Sequence, residues 1–448
     1  MSGRTRTRGS RADELAAATP DTRNRYVDLL RIVSIAMVVI GHWLLAVLAF
    51  RDGEFVGENL LEIYPHAQVG TWFFQVMPVF FLVGGYTNAI SWDSAVRRGR
   101  TYGDWLFARY TRLLRPALVF VAFWTVLPML AVAVGLPSSM ALVGGREVSL
   151  PLWFLSVYVL IVATAPALLA LHRRIGGGLV LALVAGTALA DIGHYGLDQA
   201  WIAIANYAFV WLAMLELGFL WREGVLTGRR WMPWALLSGG LAIVIALVTW
   251  FDYPISMITL SKADRSNAFP PSLALLALGV AQTGLVLLLE AAGNRWLRRA
   301  SVWLVVATGN AMIMTFYLWN MSAVVLAAVL VFPTGIAPQP EPLSAAWWAL
   351  RPVWIALCAI CLLPFLFGFR WAERPAAASP GRVGGVVAVL GGILAAGGLA
   401  IIAREAFPVQ GEQVLWPGIG VACVAASAVL LRLDLIAPLR KGNDPGVA

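Results

Sequence analysis

Long apolar runs succeed one another from residue 25 to residue 433, and this constrains the chain more than any other feature. An α-helix needs about 20 apolar residues to cross roughly 30 Å of hydrocarbon. The first run, RYVDLLRIVSIAMVVIGHWLLAVLAF, covers 25–50. Others fall near 70–91, 114–134, 151–171, 178–193, 201–221, 232–251, 272–291, 302–331, 346–369, 384–404 and 413–433. The pattern predicts an all-α polytopic membrane protein of about twelve transmembrane helices. The 178–193 run is short, and 302–331 is too long for one span. Gly309 and Asn310 are placed to interrupt the latter, because glycine weakens a helix interior. At 13% charged residues the chain carries about half the charge of a typical soluble domain.

The net charge of +9 reads as topology, since basic residues stay on the cytoplasmic side of a membrane. No motif for nucleic acid accompanies it. With the N-terminus inside and sides alternating, all but six of the 33 Lys and Arg residues fall in cytoplasmic segments or at their helix ends. The six are Arg51, Arg146, Lys262, Arg265, Arg351 and Arg404. A miscounted helix would invert every later loop, so the bias predicts cytoplasmic termini in an inner or plasma membrane. The first run is longer than a secretory signal core and is expected to be retained. Composition predicts a disordered tail at 1–25, a membrane core at 26–371 and a linker at 372–383, which contains ERPAAASPGR. Two further helices at 384–433, almost without polar residues, and a tail at 434–448 complete the chain. Cys358, Cys361 and Cys423 all lie in apolar runs and read as small hydrophobes, so no metal or disulfide is expected.

Ionisable groups in a bilayer are costly and face a protein interior or a water-filled path. Arg31 and His42 are eleven positions apart in the first run. That spacing turns about 1100°, close to whole turns, so both share one helix face about 16 Å apart along the axis. Asp28, one turn before Arg31, can pair with it and fix its direction. The pattern is that of a cation at the rim and an acid/base group deeper on the same face.

In RRGRTYGDWLFARYTRLLRP, residues 97–116, Arg109, Arg112 and Arg115 recur at i, i+3 and i+6. Guanidinium forks bind phosphate bidentately, so this stripe is a candidate site for a nucleotide-bearing donor. Arg97, Arg98 and Arg100 read as positive-inside anchors. In the second span FFLVGGY pairs aromatics with Gly84 and Gly85, which allow a close helix approach. Tyr86 and Asn88 follow as candidate donor contacts. Trp153 opens the fourth span, where an interfacial tryptophan is usually a belt residue. Asn310, Thr315, Tyr317 and Asn320 lie inside the ninth run and need polar partners, which makes them candidate cavity liners. Glu216 falls within a span and is expected either to orient a catalytic histidine or to pair with an arginine. His66, His172 and His194 lie at loops or span ends and are expected to be mostly solvated. The outer loop at 51–69, with Asp52, Glu54, Glu58, Glu62 and His66, is the expected acceptor-side contact.

DLLR-x10-H on the first span, FFLVGGY on the second, RYTRLLRP on the third, WFL on the fourth and TFYLWN on the ninth occur in one order. Over roughly residues 25–371 the chain resembles the integral-membrane acyltransferase-3 family. The resemblance implies a ten-helix core that takes an acyl group, often acetyl from acetyl-CoA, at the cytoplasmic side. It also implies transfer to a hydroxyl or amine of a glycan, lipid or secondary metabolite, without a metal. Carried over by position, His42 is the catalytic histidine and Arg31 its partner. The RxxR motif is either Arg109/Arg112 or Arg112/Arg115. Two departures stand out: Gly84–Gly85–Tyr86 where SGF or SGY is expected, and Asn320 where many members carry a histidine. The rival expectation, a transporter or flippase of a lipid or glycan, lacks the internal repeat that carriers often show.

Overall fold

A computed structural model describes residues 23–51, 54–135, 137–260, 265–374, 383–409 and 414–435. Most of the expected tails, 1–22 and 436–448, and most of the expected linker, 375–382, lie outside the described residues. Eleven helices among the described residues are long and apolar enough to cross a membrane. The protein is an all-α polytopic membrane protein.

In chain order the α-helices longer than one turn are α1 (Arg25–Leu45), α2 (Met77–Arg97), α3 (Tyr102–Ala133), α4 (Ser138–Ser149), α5 (Leu152–Ile175), α6 (Gly178–Asp191) and α7 (Asn206–Arg222). After them come α8 (Met232–Trp250), α9 (Leu273–Trp296), α10 (Ala300–Asn310), α11 (Ile313–Val331), α12 (Ala345–Phe369), α13 (Gly385–Glu405) and α14 (Leu415–Leu430). The overlong ninth run is broken where glycine and asparagine predict it. α10 stops at Asn310 and α11 restarts at Ile313, so the chain offers a helix N-terminus partway along the run. Of the long spans, α11 is the most enclosed, while α8 and α12 lie at the periphery.

The first run is not helical to its end. After Leu45 the chain forms a hairpin, β1 (Ala46–Arg51) paired antiparallel with β2 (Glu54–Asn59) in the register Arg51↔Glu54. The intervening sequence is Asp52–Gly53, the pair that favours a two-residue connection. These two residues lie outside the described residues. Gln339 engages the backbone of Phe50, accepting from its N–H at 2.7 Å.

The Gly84–Gly85 expectation holds. A Cβ on Gly85 would sit 2.1 Å from the Leu215 carbonyl oxygen, and one on Gly218 2.2 Å from that of Leu82. α2 and α7 therefore touch backbone to backbone, as only glycine permits. The final pair is packed into the core, not appended to it. Ser156 of α5 donates to the Ala396 carbonyl of α13 at 2.7 Å, and Gly392 faces the Tyr110 ring of α3.

Candidate active site

α3 begins twelve residues before the third apolar run, at a Thr101–Asp104 capping box. The basic segment is therefore helical, and its arginines project from one rod. Arg109 and Arg112 line a cavity together with Arg31 of α1, Asn88 and Phe80 of α2, and Tyr158 of α5. Asn310, Ile313 and Met314 close it at the α10–α11 break. The cavity together with its solvent-open mouth spans about 540 Å³ not filled by protein atoms. Arg31 donates to Thr87 Oγ1 at 2.9 Å and lies 3.8 Å from Asp28, which Arg23 holds more closely at 2.6 Å. The Arg109 guanidinium packs over the Trp105 ring, 5.7 Å from its centroid.

Arg115 departs from the expected stripe. Each step of three residues falls 60° short of a full turn, so two steps carry Arg115 about 120° away from Arg109. It is buried, and its Nη1 donates to the Arg374 carbonyl at 2.8 Å. Of the two RxxR registers, Arg109/Arg112 is the one on the cavity.

A residue not singled out in the sequence completes this end. Glu373, assigned by composition to the linker, accepts from the backbone N–H of Met314 at 3.1 Å and of Thr315 at 2.6 Å, and from the Thr315 hydroxyl. Its carboxylate caps the N-terminus of α11, where the first N–H groups lack intrahelical partners. A glutamate just past the last core helix is the only sequence signal, and it does not say which helix the residue reaches.

His42 is half-buried and is not among the cavity-lining residues. It lies further along α1, about 16 Å from Arg31 by helix rise. Its Nδ1 lies 3.1 Å from Asn320 Oδ1. Asn320 Nδ2 already donates to the Tyr317 carbonyl at 2.5 Å, so the atom facing His42 is an oxygen, which only accepts. Nδ1 therefore carries the proton, and Nε2 keeps its lone pair. Trp43 Nε1 donates to the Asn320 backbone carbonyl at 3.0 Å and ties α1 to α11 beside the ring. Asparagine at 320 thus acts on the histidine of α1.

Four further candidates lie away from the cavity. Tyr86 packs on Trp221 at 4.8 Å, and its hydroxyl accepts from Asn24 at 3.0 Å. Trp153 packs against Phe154 and Phe269, and Tyr317 donates to the Pro151 carbonyl at 2.6 Å. Glu216 is fully buried and pairs with His172 Nδ1 at 2.5 Å, meeting neither His42 nor an arginine. The expectation of a solvated His172 is corrected too: it is 2% exposed, and its Nε2 lies 3.1 Å from Glu223. A span-end position does not predict exposure when a neighbouring helix, here α7 with its C-cap, supplies two carboxylates. Among the described residues, no group of three His, Cys, Asp or Glu side chains is arranged to hold a metal.

The fold and site define a polytopic membrane protein with an arginine-walled cavity against a broken helix and a tautomer-fixed histidine on one of the same helices. A family model described as an acyltransferase domain matches residues 24–369, and the chain belongs to that family of membrane acyltransferases. No curated protein and no solved structure matches the chain.

Proposed function

We propose that the protein is an O-acyltransferase that moves an acyl group, acetyl in the simplest case, from cytoplasmic acyl-CoA to a hydroxyl. The acceptor is a glycan, a lipid or a secondary metabolite. One observation carries the reading: Arg31, Arg109 and Arg112, from two helices, meet in one cavity, and Arg31 shares its helix face with His42. Guanidinium groups suit the phosphates of coenzyme A, and the cavity end faces the cytoplasm if basic loops stay inside. The extended pantetheine arm then bridges the interval to His42.

Nε2 of His42 takes the proton of the acceptor hydroxyl as its oxygen attacks the thioester carbonyl. The tetrahedral intermediate expels the CoA thiolate, which recovers the proton from the imidazolium. A second route gives the same products. In it Nε2 attacks the thioester and CoA leaves as the thiolate; the acceptor hydroxyl then attacks the acyl-imidazolium, and its proton passes to the thiolate. Asn320 serves both routes by holding the proton on Nδ1.

Protein in lipid nanodiscs, incubated with radiolabelled acetyl-CoA and lipid or glycan extracts, tests the reading. Transfer of label to an extract component is expected, and His42→Ala, folded, should lose roughly 10² to 10⁴-fold of it. Near-normal transfer by that variant refutes the assignment of His42. Label retained on His42 without acceptor selects the acyl-imidazole route.

A further inference from the structure

Two asparagines in the cavity wall are buried and incompletely bonded. Asn88 is 3% exposed, and its Nδ2 donor has no partner. Asn310 is 5% exposed, and its Nδ2 donates to the carbonyls of Asp28 and Val306, each at 2.9 Å. Those two bonds fix the amide, so Oδ1 is left as an acceptor, and it too has no partner. Asn88 therefore carries a bare donor and Asn310 a bare acceptor, and both residues line the cavity with Arg31, Arg109 and Arg112. Buried polar atoms are nearly always bonded, and those that are not call for an explanation.

We propose that Asn88 and Asn310 recognise a planar group, carried by the donor substrate, that presents both a hydrogen-bond acceptor and an N–H donor. This deepens the acyl-CoA reading and rests on it. Asn88 Nδ2 takes the acceptor, and Asn310 Oδ1 takes the N–H. Three arginines select only for negative charge, which an acyl phosphate or a phospholipid also has. Neither of those carries an N–H beside a carbonyl or ring nitrogen in its acyl-bearing part. Coenzyme A does so in both amides of its pantetheine arm and along the adenine edge. Buried polar groups left unmatched discriminate strongly against a ligand that lacks the complement. The pair thus makes the cavity selective for a coenzyme A thioester over other activated acyl anions.

The test is displacement of radiolabelled CoA from the full chain in nanodiscs by unlabelled CoA, phosphopantetheine or adenosine 3′,5′-bisphosphate. Asn88→Leu is expected to weaken CoA binding roughly fivefold to tenfold, the loss of one buried hydrogen bond. If phosphopantetheine weakens with it and the bisphosphate does not, the arm amide is the group read. The reverse pattern makes it the adenine edge, and both results support the pair. Because a variant can misfold, a CoA analogue with esters in place of both arm amides is tested on the unaltered protein. A folded Asn88→Leu that binds all three probes normally overturns the proposal. So does undiminished binding of the ester analogue together with unchanged bisphosphate binding. If the unaltered protein does not bind CoA at all, the acyl-CoA reading itself fails, a result distinct from either.

Discussion

Two sets of ionisable side chains sit within this bundle, and they are built on opposite plans. Around the ends of α2, α5 and α7 three bases, His172, Arg173 and Arg222, meet acids. His172 lies between Glu216 at 2.5 Å and Glu223 at 3.1 Å, while Asp93 receives Arg173 at 2.6 Å and Arg222 at 2.7 Å. Around the cavity three arginines converge, and the acids nearby are engaged elsewhere. Asp28 is held more closely by Arg23 than by Arg31, and Glu373 caps α11. Balanced buried charge fastens helices together. Like charges gathered around two asparagines that each keep one unbonded polar atom suit the proposed donor site.

The largest separation between the two should come from Glu216→Ala. Removing Glu216 leaves the buried His172 only the partly exposed Glu223 as a partner, and breaking such a buried pair costs about 3 kcal/mol. Thermal unfolding in detergent should show that loss, while the molecules that remain folded keep their affinity for CoA. A change in affinity with unchanged stability would move Glu216 from scaffold to site. Arg112→Ala should do the opposite. Losing a hydrogen-bonded charge on a phosphate costs about 1.5–3 kcal/mol of binding, roughly 10- to 100-fold in donor Kd. Stability should hold or rise, since two like charges lose a neighbour. A destabilised Arg112→Ala with normal CoA affinity would erase the contrast.

How much of this was legible in the sequence depended on whether the signal was local. The break after Asn310, the Gly85 contact with α7 and the Asp28–Arg31 pair rest on spacing within one or two turns, and each stands in the fold. The hairpin after Leu45 was hidden because AVLAF continues the apolar composition of α1, and a period cannot be judged over so few residues. Glu216 and His172 find each other across 44 residues, and Glu373 reaches Thr315 across 58. No spacing rule encodes such partners, because they depend on which helices become neighbours. The arginine stripe was legible as a stripe, but its register was not. Arg109, Arg112 and Arg115 differ in direction by steps of 60°, and only the neighbouring helices decide which two face the cavity.

Arg115 gives the smallest effect and tests the comparison inside a single motif. Its guanidinium holds the Arg374 carbonyl, one residue beyond Glu373, and so helps pin the segment that caps α11. Arg115→Ala should cost about 1–2 kcal/mol of stability through that lost bond. Donor affinity should change little, because no atom of Arg115 lines the cavity. Arg109→Ala, six residues earlier on the wall, should reverse the pattern and weaken CoA binding at little cost in stability. Both variants remove one positive charge from the same helix, so a general electrostatic effect would move them together. Divergence between affinity and melting temperature therefore separates scaffold from site within two turns of α3. Equal losses of CoA affinity would place Arg115 at the cavity and shift the motif to Arg112/Arg115.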